Sequence, residues 1–147
     1  MRSALALIVG LLLAAGCSST TSPDTGGNTS AAGTWVGNVF ALGQNTTMTW
    51  QLSQSNEAVS GTVTVAQSNG IVLLNGSLTG SLAGSTLTYM ITVGPGAIPA
   101  LPNCTGQLGG TTTISTGSTT TMTGNYTVAS STCPASFPDA TFTLTKQ

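Results

Sequence analysis

From Gly33 onward the sequence predicts one all-β domain, a small eight-stranded antiparallel up-and-down β-barrel. Two observations carry this expectation. Apolar and polar residues alternate with period two through nearly every ordered stretch, and no window of helical length shows a 3.6-residue apolar period. The domain also holds 24 Thr among its 115 residues, a residue type that favours half-exposed pleated surfaces.

Eight strands follow in order. The first, Thr34–Phe40, carries Trp35, Gly37 and Val39 on one face. The second, Thr47–Ser53, turns Met48, Trp50 and Leu52 inward. The third, Ala58–Val65, and the fourth, Leu73–Thr79, contain the similar pentapeptides Val59-Ser60-Gly61-Thr62-Val63 and Leu74-Asn75-Gly76-Ser77-Leu78. The fifth, Thr86–Val93, buries Leu87, Tyr89, Ile91 and Val93. The sixth, Thr105–Ile114, repeats the pentapeptide from Cys104 to Leu108. The seventh, Thr121–Val128, sets Met122, Gly124, Tyr126 and Val128 on one face, and the eighth, Ala140–Lys146, sets Phe142 and Leu144 there. The opposite faces are Thr, Ser, Gln and Asn. One buried face and one wet face are the signature of antiparallel sheet. The recurring inward Gly fits a sheet coiled so tightly that inner side chains would collide, and a closed barrel leaves no edge on a chain almost without charge. The alternative fold is a β-sandwich in which those glycines mark bulges.

Residues 1–16 read as an export signal: Arg2 supplies the positive start, and the apolar run from Ala4 to Ala15 is shorter than the roughly 20 residues of a membrane span. The run ends in Leu13-Ala14-Ala15-Gly16-Cys17, which resembles the lipobox of bacterial lipoproteins. That resemblance implies cleavage before Cys17 and lipidation of its thiol, so that acyl chains (palmitate among them) hold the chain on a membrane without spanning it. Residues 17–32 are then the lipidated Cys and a flexible Ser/Thr/Gly tether, and residues 33–147 the domain. Ser18 stands where inner-membrane lipoproteins of the best-known system carry Asp, which favours the outer membrane. The expected location is the cell envelope, with the domain facing the periplasm or the cell surface.

Export to an oxidising compartment makes a Cys104–Cys133 disulfide the natural use of the two remaining cysteines. In an up-and-down barrel with an even strand count, both chain ends lie at one end, together with the short connections at Gln54–Glu57, Gly80–Ser85 and Ser115–Ser118. That end is closed. The elaborate connections Gly94–Asn103 and Ala129–Asp139 lie at the other, and the disulfide would join them there. Ile98, Leu101 and Phe137 in these loops are expected to form a rim over the barrel mouth or to fold inward as a plug.

Gly33-Thr34-Trp35 opens the first strand as the G-x-W motif does in the calycins, the lipocalin and avidin group of eight-stranded barrels, and residues 33–147 resemble that group in pattern. The resemblance implies that Trp35 plugs the closed end and that Lys146 stands in for the late-strand Arg that lipocalins set against this Trp. It also implies a ligand-holding interior. The candidate interior residues are Trp35, Trp50, Tyr89, Tyr126 and Phe142, and the candidate ligand is a small apolar molecule or lipid. The alternative is a filled barrel that acts structurally or binds another envelope protein, with inhibitor-like use included.

Much chemistry is excluded by composition. The chain has no His, and after loss of residues 1–16 its charged side chains are Asp24, Glu57, Asp139 and Lys146. A nucleic-acid partner would need clustered Lys and Arg. Zinc and calcium sites lack ligands, a hydroxyl nucleophile lacks a base, and the two carboxylates of the domain fall at opposite barrel ends. No metal, no cofactor and no catalytic residue is expected.

Overall fold

The computed structural model describes residues 29–41, 43–134 and 138–147. The predicted Cys17 and Phe137 lie outside these residues. Eight strands run in sequence order: β1 Gly33–Ala41, β2 Gln44–Ser55, β3 Ala58–Ala66, β4 Val72–Ala83, β5 Thr86–Val93, β6 Gly106–Ser115, β7 Thr121–Ser131 and β8 Ala140–Lys146. Each pairs antiparallel with the next, and β1 closes on β8, so the sheet is a closed barrel rather than a sandwich. All eight expected strands are present. Several run longer than expected, β4 by five residues, four of them at its C-terminal end. The Gly80–Ala83 stretch looks like a loop in sequence but pairs with Thr86–Tyr89. The turn contracts to Gly84-Ser85, with Gly84 at φ 61° as a two-residue hairpin demands.

The inward sets are buried as expected: Trp35, Val39, Met48, Trp50, Leu52, Tyr89, Ile91, Met122, Tyr126, Phe142 and Leu144 belong to one continuous core. The inward glycines allow strands to approach. A Cβ added to Gly61 would fall on the carbonyl oxygen of Gln51, and one added to Gly124 on that of Thr111. These side-chain-free positions let the wall curve without clashing, as a small barrel requires.

The closed end is sealed around Trp35, whose Nε1–H donates to the Ala31 carbonyl at 2.7 Å. Lys146 Nζ lies 5.3 Å from the Trp35 ring centre and donates to the Ser30 carbonyl at 3.4 Å. The last-strand cation does meet the first-strand Trp. One correction concerns the tether: Ala31 is fully buried, and its N–H donates to Gln54 Oε1 at 2.8 Å. Residues 30–32 therefore pack as part of the barrel floor. Their small polar composition suggested a tether, but the Trp35 donor and the Gln54 acceptor give their backbone partners to bind.

Candidate functional site

The closed half of the barrel is filled by Trp35, Leu78, Leu87, Met122 and Leu144. Above them lies an aromatic cluster. Trp50 meets Tyr89 edge-on with ring centres 4.9 Å apart and Phe142 at 5.1 Å, while Tyr126 stacks on Phe142 at 6.5 Å. Four of the five predicted interior residues thus form one group, with Trp35 serving the floor instead. Tyr89 reaches over β6 to donate its hydroxyl to the Asn125 carbonyl of β7 at 3.0 Å. Gly110 makes this reach feasible, because a Cβ there would stand 3.1 Å from the Tyr89 hydroxyl and collide with the Asn125 carbonyl.

Above the cluster, toward the open end, is an apolar cavity of about 50 Å³. Trp50, Tyr89 and Tyr126 line it together with Met48, Val63, Val65, Ile91, Leu73, Leu74 and Leu108. Leu73 joins this wall through a β-bulge. Val65 pairs with Leu74 and Ala66 with Val72, so Leu73 is the extra residue and escapes the alternation. A second irregularity lies between Gln107 and Leu108, where Ala129 of β7 is skipped. Both are at the barrel mouth. A smaller chamber of about 20 Å³ adjoins the cavity and shares the walls of Leu74 and Leu108; Val93, Ile98, Gly106, Val128, Ser130, Ser131 and Cys133 complete it.

The roof is the β5–β6 connection. It is tied internally by Gly96 N–H to Pro102 O at 2.7 Å and Leu101 N–H to Ile98 O at 2.9 Å, and it docks on β4 through Asn75 N–H to Ala97 O at 2.8 Å. The Cys104–Cys133 disulfide joins it to the β7–β8 connection, with Cα atoms 4.8 Å apart. Ile98 is only 2 % exposed. Of the two expectations for this residue, the exposed rim is therefore corrected in favour of the plug, since the loop's own hydrogen bonds turn it down into the barrel. Leu101 is half-buried against the core rather than a free rim tip. Among the described residues, the large apolar side chains exposed at the open end are Phe40 (63 %) and Ile71 (57 %), on the β1 and β3–β4 side. Neither was expected. Phe40 follows the outward parity of β1, and its exposure was readable from that alternation alone.

Burial shapes the electrostatics. Desolvation, aided by nearby Tyr126, pushes the Tyr89 hydroxyl well above its ordinary value. Tyr126 is raised by burial and then by the Asp139 carboxylate. Among the described residues, the buried side-chain polar atoms without a hydrogen-bond partner are Trp50 Nε1 and Thr112 Oγ1, and no cluster of three His, Cys, Asp or Glu could hold a metal. Glu57 sits in the β2–β3 turn and Asp139 just before β8, at opposite ends of the barrel. The chain matches no protein-family model, no curated protein and no solved structure.

Proposed function

We propose that the chain is a lipid-anchored envelope protein whose barrel binds one compact apolar molecule in the cavity beneath the Ile98 roof. The observation that carries this is a cavity walled by aliphatic and aromatic side chains, with a bulge that turns Leu73 into its rim. Bulges of this kind recur at barrel rims and beside binding sites, where they re-aim a side chain. Volume narrows the ligand class. A dry apolar cavity of roughly 150 Å³ accepts benzene, so 50 Å³ suits a molecule of a few heavy atoms. A long acyl chain would require the half-buried leucines Leu73, Leu74 and Leu108 to part. No catalytic step belongs to this reading.

Native mass spectrometry of the mature lipidated chain, taken gently from the envelope, tests it. A discrete small adduct that disappears in Trp50→Ala supports the site, and a clean mass indifferent to added apolar compounds overturns it. Exchanging Cys17→Ser should release the protein from the membrane fraction, and its retention there would count against the anchor. A second reading, a filled barrel that binds an envelope protein, is favoured by Phe40 and Ile71, whose large apolar side chains face solvent at the open end. A clean mass in the first experiment would leave this reading standing.

A further inference from the structure

Trp50 is fully buried and lines the cavity, yet its indole N–H has no acceptor in the protein. Its nearest ring neighbours are Tyr89 and Phe142. The Tyr89 hydroxyl donates to Asn125 and, though its oxygen could still accept, lies outside hydrogen-bond reach of Nε1; an aromatic ring is a weak acceptor beside a carbonyl oxygen. Leaving a buried donor unpaired is costly, and native interiors rarely do so. Trp35 in the same barrel shows the usual solution, donating to a backbone carbonyl. Water is a poor partner at Trp50: a buried water needs two to four polar contacts, and the other cavity walls are almost wholly apolar.

Resting on the ligand-binding reading above, we infer that the ligand is a compact apolar molecule bearing one hydrogen-bond acceptor, such as a ketone, aldehyde or ether, and that Trp50 Nε1–H takes that acceptor. The hydrocarbon walls select size and the indole selects the single oxygen. Trp50 is thereby the specificity-determining residue of the cavity.

The test uses two four-heavy-atom probes of similar shape, propanone (a ketone) and 2-methylpropene (its alkene counterpart), on the mature chain carrying Cys17→Ser. The chain has two Trp, so an ¹⁵N spectrum contains two indole resonances, and Trp35, already bonded to Ala31, is the internal reference. The inference holds if both probes shift the Leu74 and Ile91 methyls while only the ketone moves the Trp50 indole proton downfield. Equal shifts of that proton with both probes would overturn the inference and leave the site intact. Methyls unmoved by either probe would remove the site itself. In Trp50→Phe the affinity ratio of ketone to alkene should fall about three- to tenfold, the worth of one hydrogen bond; an unchanged ratio also overturns the assignment.

Discussion

Removing the disulfide is the perturbation whose size can best be worked from the structure. Cys104 and Cys133 are 29 residues apart, and on the chain-entropy relation a loop of that size stabilises the fold by about 3.6 kcal/mol. For a domain of this length the unfolding entropy near the midpoint is about 0.25 kcal/mol/K, so the double change Cys104→Ala, Cys133→Ala should lower Tm by about 14 °C. The native contacts around the bond survive the change. Thr132 N–H still donates to Thr105 O, and Thr105 N–H to Thr132 Oγ1, both at 2.9 Å. The effect should therefore act on the unfolded chain and leave the barrel signature of the far-ultraviolet spectrum unchanged. Calorimetry of the oxidised protein, of the same protein with a dithiol reductant, and of the double variant decides it, with the first two differing by two hydrogen atoms in mass. A Tm loss below about 4 °C would show that the roof loops are held by their own hydrogen bonds and that the cross-link contributes little.

Other consequences follow from the interior. Gly61→Ala and Gly124→Ala force a methyl onto a neighbouring strand's carbonyl and should each cost about 1–3 kcal/mol by urea unfolding. Gly94→Ala, with open space around it, should stay within about 0.5 kcal/mol of wild type, and equal losses at all three would refute the close-approach argument. Trp35→Phe removes the donor to Ala31 and weakens the Lys146 contact; a loss of about 1–3 kcal/mol and faster amide exchange at Ala31 are expected, whereas Lys146→Gln should cost less than about 1 kcal/mol. Burial raises the folded-state pKa of Tyr89 and Tyr126 above the ordinary 10.0. The stability linked to these groups is complete below that value and is lost as pH climbs past it. Urea midpoints should be level near neutrality, where no His titrates, and should fall beyond pH 10; a midpoint rising there would reverse the sign.

Some of this was legible in sequence and some was not, for physical reasons. Strand identity was legible because Met48-x-Trp50-x-Leu52 and Leu87-x-Tyr89-x-Ile91-x-Val93 alternate without a break. The extension of β4 was not, because Gly80 serves equally as turn residue and as an inward position in a crowded wall. The apolar run Ile71-Val72-Leu73-Leu74 has no parity at all, so neither the bulge at Leu73 nor the exposure of Ile71 could be read from it. The disulfide followed from two cysteines in a chain whose N-terminus reads as an export signal. The plug did not, since whether Ile98 faces outward or inward depends on hydrogen bonds within its own loop, such as Gly96 to Pro102, that no local pattern announces.

The choice of residues inside the barrel separates filling from binding. A core that needs only volume is best served by Leu, Ile, Val and Phe, and Trp or Tyr belongs there only where its N–H or O–H reaches a partner. The floor obeys this rule, with Trp35 donating to Ala31. Tyr89 obeys it by bonding to Asn125, a contact that depends on Gly110 being free of a side chain. Trp50, packed between them in the same core, breaks the rule, and it does so at the wall of the apolar cavity. A hydrocarbon side chain at this position would carry no polar cost. An indole kept there is the departure from a filling core that a ligand with an acceptor would make good, and the paired probes at Trp50 measure whether it does.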